Sequence, residues 1–138
     1  MSDSAGAVLE LDLGNTRLKW RVLQGGGVSG QGFLVRREYI DLIACLAALL
    51  CDLKQLDCKE ELTRIRIASV ASEEVGQQLM LWVRDEFGFS AEFAKVSCEC
   101  SGVVNGYEDC ERLGVDRWLA VLAAHRLAPE GACVVDCG

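Results

Sequence analysis

Residues 7–22, with the sequence AVLELDLGNTRLKWRV, determine the predicted fold. Residues 7–12 are typical of a strand that ends at Gly14 and Asn15, and residues 16–22 alternate apolar and basic residues, as a half-exposed strand does. Three glycines at 25–27 predict a second turn, and residues 28–35 then return as a third antiparallel strand. The chain therefore begins with a predicted three-stranded meander.

A helix is predicted from about Glu38 to Leu53, because leucines recur there every three or four residues and form one apolar stripe. A short strand is predicted at 65–70. Ser72 has the side chain of a helix N-cap and predicts a second helix after it. Residues 91–96 form another candidate strand.

A loop of polar and small residues, 97–111, precedes a last predicted helix at 117–127 and a closing strand at 133–136. Strands and helices therefore alternate after the meander. This order favours an α/β domain, a mixed sheet with helices on both faces. Neither a linker nor a break in composition divides the chain.

Charge and hydropathy limit the classes of partner. The 138 residues are 51% hydrophobic and carry a net charge of −7, and such an acidic surface disfavours nucleic acid. The longest strongly apolar uncharged run, 42–51, is too short to cross a bilayer. The first residues have no secretory signal, so we expect a cytoplasmic protein without membrane contact.

Eight cysteines are the unusual feature of the composition. We predict that most are small buried hydrophobes in a reducing compartment. This applies to Cys45, Cys51, Cys58, Cys133 and Cys137. Zinc is disfavoured, because Cys98 and Cys100 are not spaced as a usual ligand pair and His125 is the single histidine.

The first cluster with chemical potential comprises residues 12–19. Phosphoryl transfer needs a carboxylate for Mg²⁺, open backbone N–H donors and a cation near the phosphates. Asp12, the turn at 14–16 and Lys19 supply these groups. Lys19 is three residues after Thr16, so on an extended strand the two face opposite sides. An ordinary hairpin turn is the alternative interpretation.

The second cluster begins at residues 105–107 and continues at 114–118. Asp116 stands where the last helix begins, as an N-cap would, yet it could also accept a proton from a substrate hydroxyl. Arg117 opposes the helix dipole in the first turn, which indicates a separate role such as binding a carboxylate.

An internal echo links the two ends of the chain. Residues 9–14 and 134–138 each place an Asp, Asp12 or Asp136, at the end of a buried strand, followed two residues later by glycine. Such a strand end lets the backbone approach a ligand. The second copy stops at Gly138, so we expect a truncated chain.

At this point the sequence resembles the type III pantothenate kinases. Residues 12–19 resemble the family's first phosphate motif, 105–107 with 114–118 its substrate-binding segment, and 134–138 the opening of its second phosphate motif. The resemblance extends from Val8 to the end. It implies a ribonuclease-H-like domain of the actin-like ATPase superfamily, spanning residues 1–130. Residues 131–138 would be the first strand of a second domain whose remainder is absent.

The resemblance also implies ATP-dependent phosphorylation of pantothenate by a homodimer, the first step of coenzyme A biosynthesis. Asp116 would be the general base, Arg117 would bind the pantothenate carboxylate, and Asp136 would bind a monovalent cation, K⁺ or NH₄⁺. The ATP phosphates and their Mg²⁺ would be held by Asp12, Leu13, Gly14, Asn15, Thr16, Arg17, Leu18 and Lys19. Pantothenate would be held by Tyr107, Gly114, Val115, Asp116 and Arg117.

Two alternatives remain open. Relatives called Bvg accessory factors suggest a regulatory protein that acts through protein contacts, and the wider superfamily includes kinases with other substrates. Intact Asp12, Asp116, Arg117 and Asp136 favour a kinase, and Tyr107 favours pantothenate. Without its second half, the chain by itself is expected to be inactive.

Overall fold

The first three strands form the predicted antiparallel meander, and in the first two of them buried residues alternate with less buried ones. These are β1 (Ala7–Leu13), β2 (Arg17–Gln24) and β3 (Gly27–Val35), paired antiparallel in this order. The computed structural model describes residues 6–57 and 61–135. The chain divides into two compact units, unit 1 through Phe93 and unit 2 from Ala94.

The rest of unit 1 alternates helices and strands. Helix α1 (Leu42–Gln55) leads to β4 (Leu62–Ser69), and α2 (Glu73–Phe87) leads to the short β5 (Glu92–Phe93). The sheet order is β3-β2-β1-β4-β5. Strand β4 pairs parallel with β1, and β5 pairs parallel with β4, so the sheet is mixed. The predicted α/β class is confirmed.

One face of this sheet forms the hydrophobic core of unit 1. Odd-numbered residues of β1 lie opposite apolar residues of β2 and β4, as in the trio Leu11, Trp20 and Ile67. Both helices bury their apolar sides in the same cluster. The helical members with no exposed area are Leu46, Leu49, Leu53, Leu79 and Val83. Unit 1 alone therefore has helices on one face, where the sequence predicts helices on both.

The other face of the sheet carries ion pairs. Glu10 on β1 pairs with Arg21 on β2 and lies 3.7 Å from Arg66 on β4. Arg64 makes two parallel hydrogen bonds of 2.8 Å to Glu92. These hydrogen bonds, together with the positive charge of the Arg64 guanidinium, lower the pKa of the Glu92 carboxyl. The Glu10 side chain is 23% exposed and the other side chains are about half exposed, so these pairs contribute little to the stability of the unit.

Each of the two helices in unit 1 begins directly after an N-cap residue. Ser72 is the N-cap of α2, as predicted, and its hydroxyl accepts a hydrogen bond from Val75 N. The predicted start of α1 at Glu38 is wrong. Asp41 is the N-cap and accepts a hydrogen bond of 2.8 Å from Ala44 N, so the helix begins at Leu42. Residues 36–38 form a separate turn of 3₁₀ helix.

Unit 2 is built on a hairpin and one helix. Strands β6 (Glu99–Cys100) and β7 (Val103–Val104) pair antiparallel, and helix α3 spans Val115–Leu127. Residues 133–135 form no strand in the part that the structure describes, and Asp136, the predicted cation ligand, lies outside it. Of the described helices, none has the length and apolar character needed to cross a membrane.

Candidate functional site

The turn between β1 and β2 is the first part of the candidate site. Gly14, Asn15 and Thr16 lie between the two strands, and Gly14 N donates a hydrogen bond of 2.9 Å to Arg17 O. Asn15 and Thr16 are exposed. Gly14 directly follows the carboxyl end of β1, which is the edge of such a sheet where ligands commonly bind. The turn therefore offers backbone N–H groups to solvent.

The two charged side chains flanking this turn face the same way. Asp12 and Lys19 are direct partners in the antiparallel ladder, on the face opposite the core. The hairpin thus places the lysine beside the carboxylate, although it is three residues beyond Thr16. Leu13 and Leu18 are also partners, and both are fully buried. These two leucines expose no area to a ligand, in contrast to the exposed turn residues between them.

Arg17 begins β2 and is exposed. Its guanidinium lies 4.8 Å from the centre of the Phe33 ring on the neighbouring strand, a cation–π contact. The aromatic ring holds the positive charge near the turn. This positive charge favours the binding of an anion beside the turn.

Arg36 is a residue of this site that the sequence reasoning missed. Its Nη1 donates hydrogen bonds to Gly14 O at 2.9 Å and to Asn15 O at 3.5 Å, and its backbone N donates to Thr16 O at 2.9 Å. The predicted meander already contained the information that places Arg36 at the turn. Because β3 returns beside β2, with Val35 opposite Arg17, the next residue must lie beside the turn.

Ser69 ends β4 beside the same turn. It is the parallel partner of Leu13, and Val70 N donates a hydrogen bond of 3.2 Å to Leu13 O. The Ser69 hydroxyl accepts a bond from Ala71 N. The carboxyl ends of β1 and β4 thus meet at one edge, which tethers the turn on its second side.

In unit 2, Asn105 organises the segment that carries Tyr107. Its side chain is nearly buried, and the amide donates to the carbonyls of Ser97 and Cys110 at 3.3 and 3.2 Å. Its Oδ1 accepts a hydrogen bond of 3.0 Å from Tyr107 N. A side chain bonded at three points fixes the loop, and Tyr107 stays half exposed beside it.

A disulfide closes the same loop. Cys98 and Cys110 are bonded, so the residues between them form a ring that contains Asn105 and Tyr107. The sequence did not predict this disulfide, and the expectation of buried cysteines is wrong for Cys51 and Cys133, whose thiols are exposed. Cys45 is buried as expected. Burial raises the pKa of its thiol, and the Arg36 guanidinium opposes the shift.

Helix α3 begins at the second part of the candidate site. Gly114, not Asp116, occupies the N-cap position, and it has no side chain to cap the helix. Asp116 lies within the first turn, where its Oδ1 accepts a hydrogen bond of 2.9 Å from Arg117 N. The predicted capping alternative for Asp116 is therefore wrong. The carboxylate is held close to the helix N-terminus, a favourable position for negative charge.

Gly114 leaves space for that carboxylate. A Cβ at this position would lie 2.7 Å from Asp116 Oδ1, closer than real Cβ contacts come. Asp116 and Arg117 are both exposed, whereas Val115 and Trp118 are buried. The helix thus anchors itself through its apolar residues and presents an adjacent carboxylate and guanidinium to solvent. Val115 can contribute to a ligand site only through its backbone.

The two parts, each described within its own unit, offer different chemistry. Unit 1 offers backbone N–H groups, a carboxylate and cations, which suit a polyphosphate with its metal ion. Unit 2 offers a carboxylate that can accept a proton and a guanidinium that can bind a carboxylate. The two parts belong to different units of the chain.

Comparison with known proteins gives a consistent set of matches. A family model described as type III pantothenate kinase matches residues 8–138. A type III pantothenate kinase of Pseudomonas fluorescens (strain SBW25) is 44% identical over 128 residues, which cover 93% of this chain and 48% of that protein. One of Pseudomonas aeruginosa (strain LESB58) is 38% identical over 133 residues, 95% of this chain and 49% of that protein. The chain spans about half the length of these curated relatives.

Among solved structures, a Ppx/GppA family member of Aquifex aeolicus aligns with a TM-score of 0.36 at 15% identity. The alignment covers 64% of this chain and 34% of that one.

Proposed function

The chain belongs to the type III pantothenate kinase family, and from this premise we propose that it supplies the phosphate turn and the substrate-binding segment of an enzyme that phosphorylates pantothenate with ATP. The observation that carries the proposal is the start of α3. There Asp116 and Arg117 are both exposed, in a chain whose residues 8–138 match the family model.

In the proposed reaction the pantothenate hydroxyl oxygen attacks the γ-phosphorus of ATP. The new P–O bond forms as the bond from the γ-phosphorus to the β,γ-bridging oxygen breaks, and ADP leaves. Asp116 accepts the hydroxyl proton. Arg117 binds the substrate carboxylate and thereby aligns the hydroxyl. Tyr107, fixed by Asn105, and the Gly114 backbone complete the pantothenate site.

The phosphate turn would hold the other substrate. Asn15 and Thr16 would donate backbone hydrogen bonds to ATP phosphates, and Arg17 and Lys19 would neutralise their charge. Asp12 stands on the open face at the strand end, and a single carboxylate there fits a Mg²⁺ ion carried by ATP, bound directly or through water. When bound, Mg²⁺ stabilises negative charge on the phosphates.

The remaining parts of the proposal rest on the family resemblance. They are a monovalent cation at Asp136, K⁺ or NH₄⁺, a homodimer, and a cytoplasmic enzyme in coenzyme A biosynthesis. The boundary near residue 130, with the start of a second ribonuclease-H-like domain after it, belongs to the same proposal.

The test is a coupled ADP-release assay of the complete gene product, with and without pantothenate, and with potassium exchanged for sodium. We expect ADP release that depends on pantothenate and falls in sodium. ADP release without pantothenate dependence would contradict the proposal and favour a kinase or ATPase with another substrate. No ADP release at all, from a folded protein, would favour a regulatory role.

Asp116→Asn tests the base. Asn can still accept the hydrogen bond from Arg117 N, so the fold should be retained, whereas kcat should fall by about 10²- to 10⁴-fold. Asp85→Asn, on the exposed side of α2, is the matched control. A variant that keeps its activity would refute the role of Asp116.

Arg117→Ala tests the assignment of the guanidinium to the pantothenate carboxylate. Loss of a charge-assisted hydrogen bond should raise the KM for pantothenate by about 10- to 100-fold and leave the KM for ATP within about twofold. Arg126→Ala, at the exposed end of the same helix, is the control. Equal increases in both KM values would contradict the assignment.

A further inference from the structure

Arg36 contacts every carbonyl of the turn between β1 and β2. Its Nη1 donates to Gly14 O at 2.9 Å and more weakly to Asn15 O at 3.5 Å, and its backbone N donates to Thr16 O at 2.9 Å. Arg36 follows β3 directly and is 20 or more positions from all three turn residues. Because β3 is held in the sheet, the turn is tied to a rigid element.

The direction of these carbonyls sets the direction of the N–H groups. In a trans peptide the C=O of one residue and the N–H of the next point in opposite directions, and the described chain has no cis peptide bonds. Anchoring the Gly14 and Asn15 carbonyls on Arg36 therefore turns the N–H groups of Asn15 and Thr16 away from it. Both residues are exposed.

Successive N–H groups held in one direction form a binding site for an anion. In the described parts of the chain, neither the Asn15 nor the Thr16 N–H donates to another protein group. Without an anchor, a solvent-exposed turn samples orientations in which these donors diverge, and binding must then restrict them. An anchor formed before binding removes this penalty.

We propose that Arg36 is a positioning residue for the phosphate turn, acting through its hydrogen bonds to the Gly14 and Asn15 carbonyls to preset the Asn15 and Thr16 N–H groups for the phosphates of ATP. The identity of the anion rests on the proposed function. Arg36 itself acts through the turn and carries out no chemical step.

The experiment compares three proteins, each as the complete gene product: the wild type, Arg36→Met and Arg36→Lys. Met retains much of the aliphatic stem but has no donor, and Lys retains a charged donor without the guanidinium fork. Arg37→Met is the matched control, because Arg37 is the next residue and is exposed. Equilibrium titrations give the Kd of a non-hydrolysable ATP analogue and of adenosine, and steady-state assays give the KM of pantothenate.

We expect the Kd of the ATP analogue to rise by about 10- to 100-fold in Arg36→Met, and by less in Arg36→Lys. The Kd of adenosine, the KM of pantothenate and the behaviour of Arg37→Met should remain within about twofold of wild type. A simple loss of structure would weaken the binding of adenosine and of the ATP analogue equally. The ratio of the two Kd values therefore distinguishes a loss of positioning from a loss of folding.

Arg36→Met with an unchanged Kd for the ATP analogue would overturn the inference, and so would an equal loss for adenosine. If Arg36→Met fails to fold, the ratio of the same two Kd values in Arg36→Lys tests the inference instead. Failure of the proposed function has a different signature. If the wild type binds the ATP analogue, Arg36→Met weakens that binding, and the wild type does not phosphorylate pantothenate, then pantothenate is not the substrate and the positioning role of Arg36 still stands.

Discussion

Gly114→Ala is the sharpest perturbation that the structure offers. The added Cβ would lie 2.7 Å from Asp116 Oδ1, whereas ordinary contacts begin at 3.4 Å. The carboxylate oxygen must therefore retreat by at least about 0.7 Å, and it can do so because it ends a flexible side chain. A displacement of about 1 Å at a reacting group can reduce a rate about 100-fold. We expect kcat to fall by up to that factor.

The fold should tolerate the same change. Gly114 has a φ of −59°, which alanine adopts without strain. Two effects destabilise the variant, because alanine is a poorer N-cap than glycine and the hydrogen bond from Arg117 N to Asp116 weakens. One effect stabilises it, because alanine reduces the conformational entropy of the unfolded chain. These terms partly cancel, so stability should change by no more than about 1 kcal/mol. The midpoint of thermal unfolding should fall by less than about 8 °C.

The assay measures ADP release and thermal unfolding on the same preparations of the complete gene product. Gly27→Ala is the control, because a Cβ at the tip of the β2–β3 hairpin meets no atom within 4 Å. Activity retained within twofold in Gly114→Ala would refute the reasoning, since the carboxylate would then not need its present position. A collapse of the thermal midpoint would assign Gly114 to folding instead.

Three further predictions concern stability. Replacing both Cys98 and Cys110 by Ser opens a loop with a sequence separation of 12, and the chain-entropy model gives the bridge a stabilisation of about 3 kcal/mol. The free energy of unfolding in urea should fall by this amount in the double variant, and adding a reductant should then have no further effect. A wild type whose stability does not change with reductant would contradict the bridge. Gly76→Ala in α2 meets no atom within 4 Å and should stabilise the protein by about 1 kcal/mol in calorimetry, and a loss would contradict open space there. Because the pKa of Glu92 is lowered, chiefly by its hydrogen bond with Arg64, the pair stabilises unit 1 above pH 4.5 and this contribution is lost as the pH falls through the lowered value. In Arg64→Met an NMR titration should return the Glu92 pKa towards 4.5, and an unmoved value would refute the pairing.

Local patterns were sufficient for much of unit 1. Residues 7–22 predicted both strands and the turn, because the buried face of each strand requires apolar side chains that are close together in the sequence. Ser72 predicted the start of α2, because its cap hydrogen bond reaches only three residues along the chain. The start of α1 was misplaced, since the leucine stripe gives the period of a helix but not its first residue.

Contacts between distant residues could not be predicted in the same way. The bonds of Arg36 to the turn span 20 or more positions and depend on the register of β3, which the sequence indicates only approximately. The pairing of Cys98 with Cys110 was missed because spacing alone does not determine the connectivity of eight cysteines. At α3 the preference of Asp for caps misplaced the start, because the helix begins at Val115 with Gly114 as its N-cap, so Asp116 already lies in the first turn.

The three tryptophans are each buried, and they are divided between the two units. Trp20 and Trp82 lie in the core of unit 1, and Trp118 lies in α3, two residues after Asp116. A variant that retains only Trp118 would emit from unit 2 alone, and one that retains only Trp82 from unit 1 alone. Coincident fluorescence transitions in the two variants would mean that both units melt cooperatively, and separate transitions would give each unit its own stability.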